Sequence, residues 1–134
     1  VVTGEYFTRR VAYFSPTCTI WNGRITFNKV ALTALNNCQR IRIEIHPQKK
    51  RILLVPVTTK DKDGISWRKN IKDYAPRRME CSKFSSTLYE MWDWDSVCVY
   101  RAAGRVVTVD HKVMLLFDFS SPEHWMAKVK KTDK

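Results

Sequence analysis

RITFNKVALTALNNCQRIRIEIHPQKKRILLVPV, residues 24–57, changes its hydrophobic period twice. It opens with a short β segment, Arg24-Ile25-Thr26-Phe27. Asn28 then reads as a helix N-cap, a short side chain able to accept from the first free helical amides. Val30, Ala31, Leu32, Ala34 and Leu35 lay an apolar stripe at helical spacing over Asn28 to Asn37. Asn36-Asn37 stops it, because asparagine tolerates the left-handed conformation at a helix end. From Arg40 the period becomes two: Ile41, Ile43 and Ile45 face a core, and Arg40, Arg42, Glu44 and His46 face outward. Pro47-Gln48-Lys49-Lys50 turns the chain. Arg51 to Val57 returns as a nearly continuous apolar run, the mark of burial on both faces, with Pro56 at its end.

About 54 residues further on the same order recurs. Met79-Glu80-Cys81 leads into a helical stretch, Ser82 to Trp92, capped by Ser82 and carrying Phe84, Leu88, Tyr89, Met91 and Trp92. Val97 to Arg101 and Lys112 to Phe119 supply strands, with bends at Gly104 and Asp110-His111. Upstream, residues 5–21 read as one or two strands in which Tyr6, Phe7, Tyr13 and Phe14 alternate with Arg9 and Arg10. Ser15-Pro16 interrupts them, and an Asn22-Gly23 hairpin turn closes them. One β-α-β-β unit has too little apolar surface to close a core alone. The expected fold is therefore α+β: two tandem β-α-β-β units, mostly antiparallel, forming one pseudo-symmetric domain over residues 1–134. Residues 1–57 form the first half with its N-terminal hairpin, 58–78 a basic linker, 79–119 the second half and 120–134 a basic tail.

Composition narrows the function. At 44% hydrophobic and 28% charged the chain is globular, not disordered. No apolar run approaches the ~20 residues of a membrane span, and no signal peptide precedes Val1, so a cytoplasmic protein without a membrane partner is expected. Cys18, Cys38, Cys81 and Cys98 are 20, 43 and 17 residues apart, without the close pairs of a structural zinc site, and read as reduced, mostly buried thiols. Thr59, Asp61, Asp63 and Gly64 imitate the start of a calcium loop, but Asn70 stands where the bidentate glutamate belongs. His46, His111 and His124 are scattered. No nucleophile elbow or glycine-rich phosphate loop is present, and Asp93 and Asp95 read as solvated acids after a helix. The expectation is a non-enzyme with no catalytic residues, no metal and no cofactor.

Charge points to a partner. The net charge is +11, and residues 40–78 hold twelve Lys/Arg against four acids. Residues 79–125 hold four against seven, and Lys128, Lys130, Lys131 and Lys134 follow. Such a balance favours a polyanion. The candidate nucleic-acid-binding residues are Arg24, Arg40, Arg42, Lys49, Lys50 and Arg51, cations on a stiff hairpin that reach phosphates without ordering a loop.

Gly23-Arg24-Ile25-Thr26-Phe27, Leu35-Asn36 and the hairpin Ile41 to Val57 resemble the swapped-hairpin domain of the AbrB family of bacterial DNA-binding regulators. The tandem arrangement is similar to the MraZ branch of that family. The resemblance covers residues 23–57 and, in outline, 79–119. It implies DNA binding and transcription regulation, with Arg24 carried over residue for residue. Asn28 stands where the family has proline, and Leu32 and Thr33 stand where it has an arginine pair. The chain also resembles proteins of mobile elements in Gram-positive bacteria. The expected function is nucleic-acid binding, DNA ahead of RNA, with a homodimer as one candidate assembly. One alternative is a single-strand binder stacking bases on Tyr6, Tyr13, Trp21 and Trp67. Another is a protein-interaction domain of a mobile element that pairs through exposed strands.

Overall fold

Nine strands and two short helices form over residues 15–68 and 79–127, the residues described by this computed structural model. In chain order they are β1 Thr17–Trp21, β2 Arg24–Phe27, α1 Lys29–Ala34, β3 Arg40–His46, β4 Arg51–Val57 and β5 Ile65–Ser66. There follow β6 Met79–Glu80, α2 Ser82–Met91, β7 Cys98–Val109, β8 Lys112–Asp118 and β9 Glu123–Met126. The expectations placed on residues 5–14, 69–78 and the lysines from 128 onward lie outside the described residues.

Helix and antiparallel strand are mixed as expected, with strand far ahead of helix. The strands form one curled antiparallel sheet in the order β5-β3-β4-β8-β7-β1-β2-β6, and β9 pairs with β7. Two-residue turns close two hairpins. Asn22 and Gly23 (φ 51° and 78°) close β1–β2, and Asp110 and His111 (φ 51° and 67°) close β7–β8. Both residues of each turn adopt positive φ, matching the right-handed twist of the strands. Asn28 is the N-cap of α1: its side chain accepts from Ala31 N at 3.1 Å and from Thr17 N at 2.9 Å, tying the helix start to β1. Asn36 and Asn37 take the left-handed conformation. The helix they follow is a single short turn and a half, ending at Ala34 rather than Asn37.

The core is continuous across both halves. Ile20, Ile25, Leu32, Ile41, Leu54, Leu88 and Phe117 are all essentially excluded from solvent. Ile43 and Ile45 share the inner face with Ile41 and pack against the core, but are only half-buried. Pro56 lies inside β4 instead of ending it. β4 pairs with β8 only through residues 51–54, so at Pro56 the missing N–H faces no ladder on that side.

Three local expectations change. Ser82 is the first residue of α2, and Cys81 holds the cap position with no side-chain bond. The helix start is instead stitched to the β1–β2 turn: Cys81 N donates to Gly23 O at 2.6 Å, and Gly23 N to the buried Ser85 hydroxyl at 3.2 Å. Gly104 does not interrupt β7. The strand is continuous, pairing with β1 and β9 before Gly104 and with β8 from Gly104 onward. The Phe117 ring covers the glycine so closely that a Cβ there would lie 2.6 Å from a ring carbon. Lastly, residues 58–68 fold back on β3. β5 pairs with Arg40 and Ile41, and Trp67 is fully buried with its indole N–H donating to Cys38 O at 2.8 Å. That burial removes Trp67 from the stacking aromatics, and Trp21 is half-buried.

Among the described residues no helix is long and apolar enough to cross a membrane. The cysteines are free thiols, with Cys18 and Cys98 buried and Cys38 and Cys81 half-buried.

Candidate nucleic-acid interface

The six basic residues singled out by sequence divide into two groups. Arg24 on β2 lies with its Nε 3.4 Å from Glu80 Oε2, and three strands separate β2 from β4 in the sheet. Arg40 and Arg42 do point to the outer face of β3, but neither is free. Arg40 donates to Gly64 O at 2.6 Å and to Asp61 O. Arg42 pairs with Asp61 at 2.7 Å and with Glu44 at 2.6 Å. Asp61 also accepts from Asp63 N at 2.8 Å, and this bond, then Arg42, holds its carboxyl below the usual range. The imitation calcium loop is thus an arginine-closed turn. Among the described residues no cluster of His, Cys, Asp and Glu could hold a metal ion.

The second group is Lys49, Lys50 and Arg51, at and after the β3–β4 turn. His46 and Arg51 form the closing pair, and Lys50 takes a positive φ of 55°. Lys49 is exposed, Lys50 and Arg51 half-buried. The backbone of this turn is pinned at both ends by the other half of the chain. Phe119 N donates to Lys50 O at 2.7 Å, and the Trp92 indole N–H donates to Pro47 O at 3.0 Å. Trp92, Trp94 and Phe119 pack in contact beneath it, their ring centroids 5.2–6.1 Å apart. Within the turn, Lys49 N donates to His46 Nδ1 at 3.3 Å.

Sequence reading missed one neighbour. Arg105 on β7 pairs with Leu116, placing it on the same face as Arg51, which pairs with Asp118. Ser120 bonds to Asp118, and the two arginines then add to hold its carboxyl low. The outward register of Arg105 became visible only once β7 was known to run unbroken through Gly104.

This surface offers cations on a fixed backbone, with His46 in the turn and the Asp118 carboxylate beside Arg51. Such cations are suited to charge-assisted hydrogen bonds with an oxyanion. Comparison with known proteins returns no match: no family model, no curated protein and no solved structure is similar to the chain.

Proposed function

We propose that this chain is a non-enzymatic nucleic-acid-binding protein, DNA being the first candidate, that grips phosphates with the β3–β4 turn. The observation that carries the proposal is the pinned basic turn. Lys49, Lys50 and Arg51 stand on backbone already fixed by Trp92 and Phe119. Little conformational entropy remains to be lost when a phosphate binds. The net charge of +11 supplies the long-range attraction. Arg24, Arg40 and Arg42 drop to supporting roles because acids or carbonyls already engage them.

The proposal extends to the fold. Two β-α-β-β units related by an internal two-fold account for the central strand order β3-β4-β8-β7, which reads alike on either side of the β4–β8 pair. β3-β4 meets β8-β7 at the Leu53–Leu116 pair, and β2 meets β6 at Ile25–Met79, while β1 and β5 stand outside the repeat. Each unit's long hairpin reaches toward the other unit's helix end: the β3–β4 turn bonds to Trp92 after α2, and the β7–β8 turn lies beside Leu35 and Asn36 after α1. Such an exchange of hairpins is what the AbrB-like resemblance implies, with a regulatory DNA-binding role as its functional counterpart.

The test is titration of the chain with duplex and single-stranded oligonucleotides at several salt concentrations. Contacts to roughly three phosphates give log affinity a slope of about −3 against log salt on duplex. Absence of binding, or affinity indifferent to salt, would rule the proposal out.

A further inference from the structure

A cleft of about 400 Å³ opens between the end of α1 and the β7–β8 turn, on the opposite hairpin from the basic turn. Leu35, Val55, Pro56 and Val113 wall it, with the Cys38 thiol among them, and Asn36, His111 and Lys112 reach it from more exposed positions. Neither Asp nor Glu lines it. On the internal two-fold proposed above, on which this comparison rests, the corresponding place at the end of α2 is occupied. There Trp92, 4% exposed, fills the space and bonds through its indole N–H to the turn of the partner hairpin. At α1 the same cap position holds Leu35, which is too small to do so.

We infer that this cleft binds a nucleotide: a planar base between the apolar walls, with its phosphate on Lys112 and His111. A flat ring is the shape that the Trp92 indole takes at the equivalent place. The Lys112 ammonium and a ring N–H of His111 are donors suited to a phosphate. Their backbone is fixed, since the two-residue turn holds His111 at φ 67°. The Asn36 amide offers one donor and one acceptor to a base edge. A second pocket, lined by Gly23, Ser82, Ser85 and Tyr89, has hydroxyls but no cation and does not fit a phosphate in the same way. The base and phosphate can come from a free nucleotide or from an unstacked position of a nucleic-acid strand. Neither source requires the β3–β4 turn to bind anything.

Amide NMR titration of the full chain with AMP, adenosine, inorganic phosphate and a short single-stranded oligodeoxyadenylate tests this. AMP is expected to shift the Asn36, Val55, Lys112 and Val113 amides, with adenosine and phosphate each weaker by about tenfold or more. Shifts of the same amides by the oligonucleotide and not by AMP identify the strand as the source and uphold the site. In the variant His111→Asn/Lys112→Gln, asparagine keeps the positive φ, so the fold and its urea midpoint are preserved while affinity falls by about tenfold. No shift of these amides by AMP or oligonucleotide would overturn the inference, as would equal binding by the double variant. Shifts confined to the Lys49 and Lys50 amides would do the same while leaving the basic turn's role intact.

Discussion

Ile41 and Ile43 stand two residues apart on one face of β3, yet only Ile41 is fully excluded from water. Alternation identifies the face, but the depth along a strand depends on what is stacked beneath it. Ile41→Ala should therefore cost about 2–5 kcal/mol and Ile43→Ala distinctly less, measured by urea unfolding. Equal losses would mean that Ile43 is packed as tightly as Ile41. Asp61 is a second residue whose surroundings set its behaviour. The Asp63 N–H and the Arg42 guanidinium favour its charged form, so its folded pKa lies below the ordinary 3.8. The stabilisation it gives is complete above that ordinary value and is lost as pH falls through the lower folded one. Acid titration followed at the Asp63 and Gly64 amides should show the turn loosening only below about pH 3.8. Asp61→Asn should abolish that transition, since the amide does not titrate.

Gly104 matters at the scale of an element, because β7 serves two groups of neighbours and changes from one to the other at this residue. A Cβ there would lie 2.6 Å from Phe117 Cε1 and 3.0 Å from Leu116 O. Gly104→Ala should cost about 1–3 kcal/mol in urea unfolding, and adding Phe117→Leu should recover part of the loss through coupling of the pair. Strictly additive losses would show that the ring does not impose the glycine. The elements differ in how far the sequence reveals them. The β3–β4 hairpin was legible because Ile41, Ile43 and Ile45 alternate without a break, and the Asn22-Gly23 and Asp110-His111 turns because only certain residues accept positive φ. β5 was not legible: two residues of strand have no periodicity, and Trp67 looks like a basic-linker aromatic until the fold brings it under Cys38. β9 escaped for the same reason, its four residues being all exposed. Among the candidate cations, the turn lysines were legible from local charge. The engagement of Arg40 and Arg42 was not, because Asp61 and Gly64 reach them from some 20 residues away.

Across the whole molecule, the second half holds the turns of the first and the two share one core. β4 takes β8 as a neighbour, β1 takes β7, and the β3–β4 turn is pinned by Trp92 and Phe119. A fragment of residues 1–62 loses all of these and Trp67 as well. It should show no cooperative urea transition, and a two-state transition in that fragment would refute the shared core. The same pinning prepares the turn for phosphate, which is the central claim. Its most direct test is the triple variant Lys49→Gln/Lys50→Asn/Arg51→Gln, compared with the parent against duplex and single-stranded oligonucleotides at several salt concentrations. Asparagine at position 50 keeps the positive φ. Lys50 and Arg51 are half-buried, so a loss of about 1 kcal/mol is expected, and a urea midpoint measured alongside separates it from the loss of binding. Binding should weaken alike for all sequences, because phosphate contacts carry no base information. The slope of log affinity against log salt should flatten by up to about three units, one for each phosphate released. A parent that binds with the same affinity and slope as the triple variant would contradict the account.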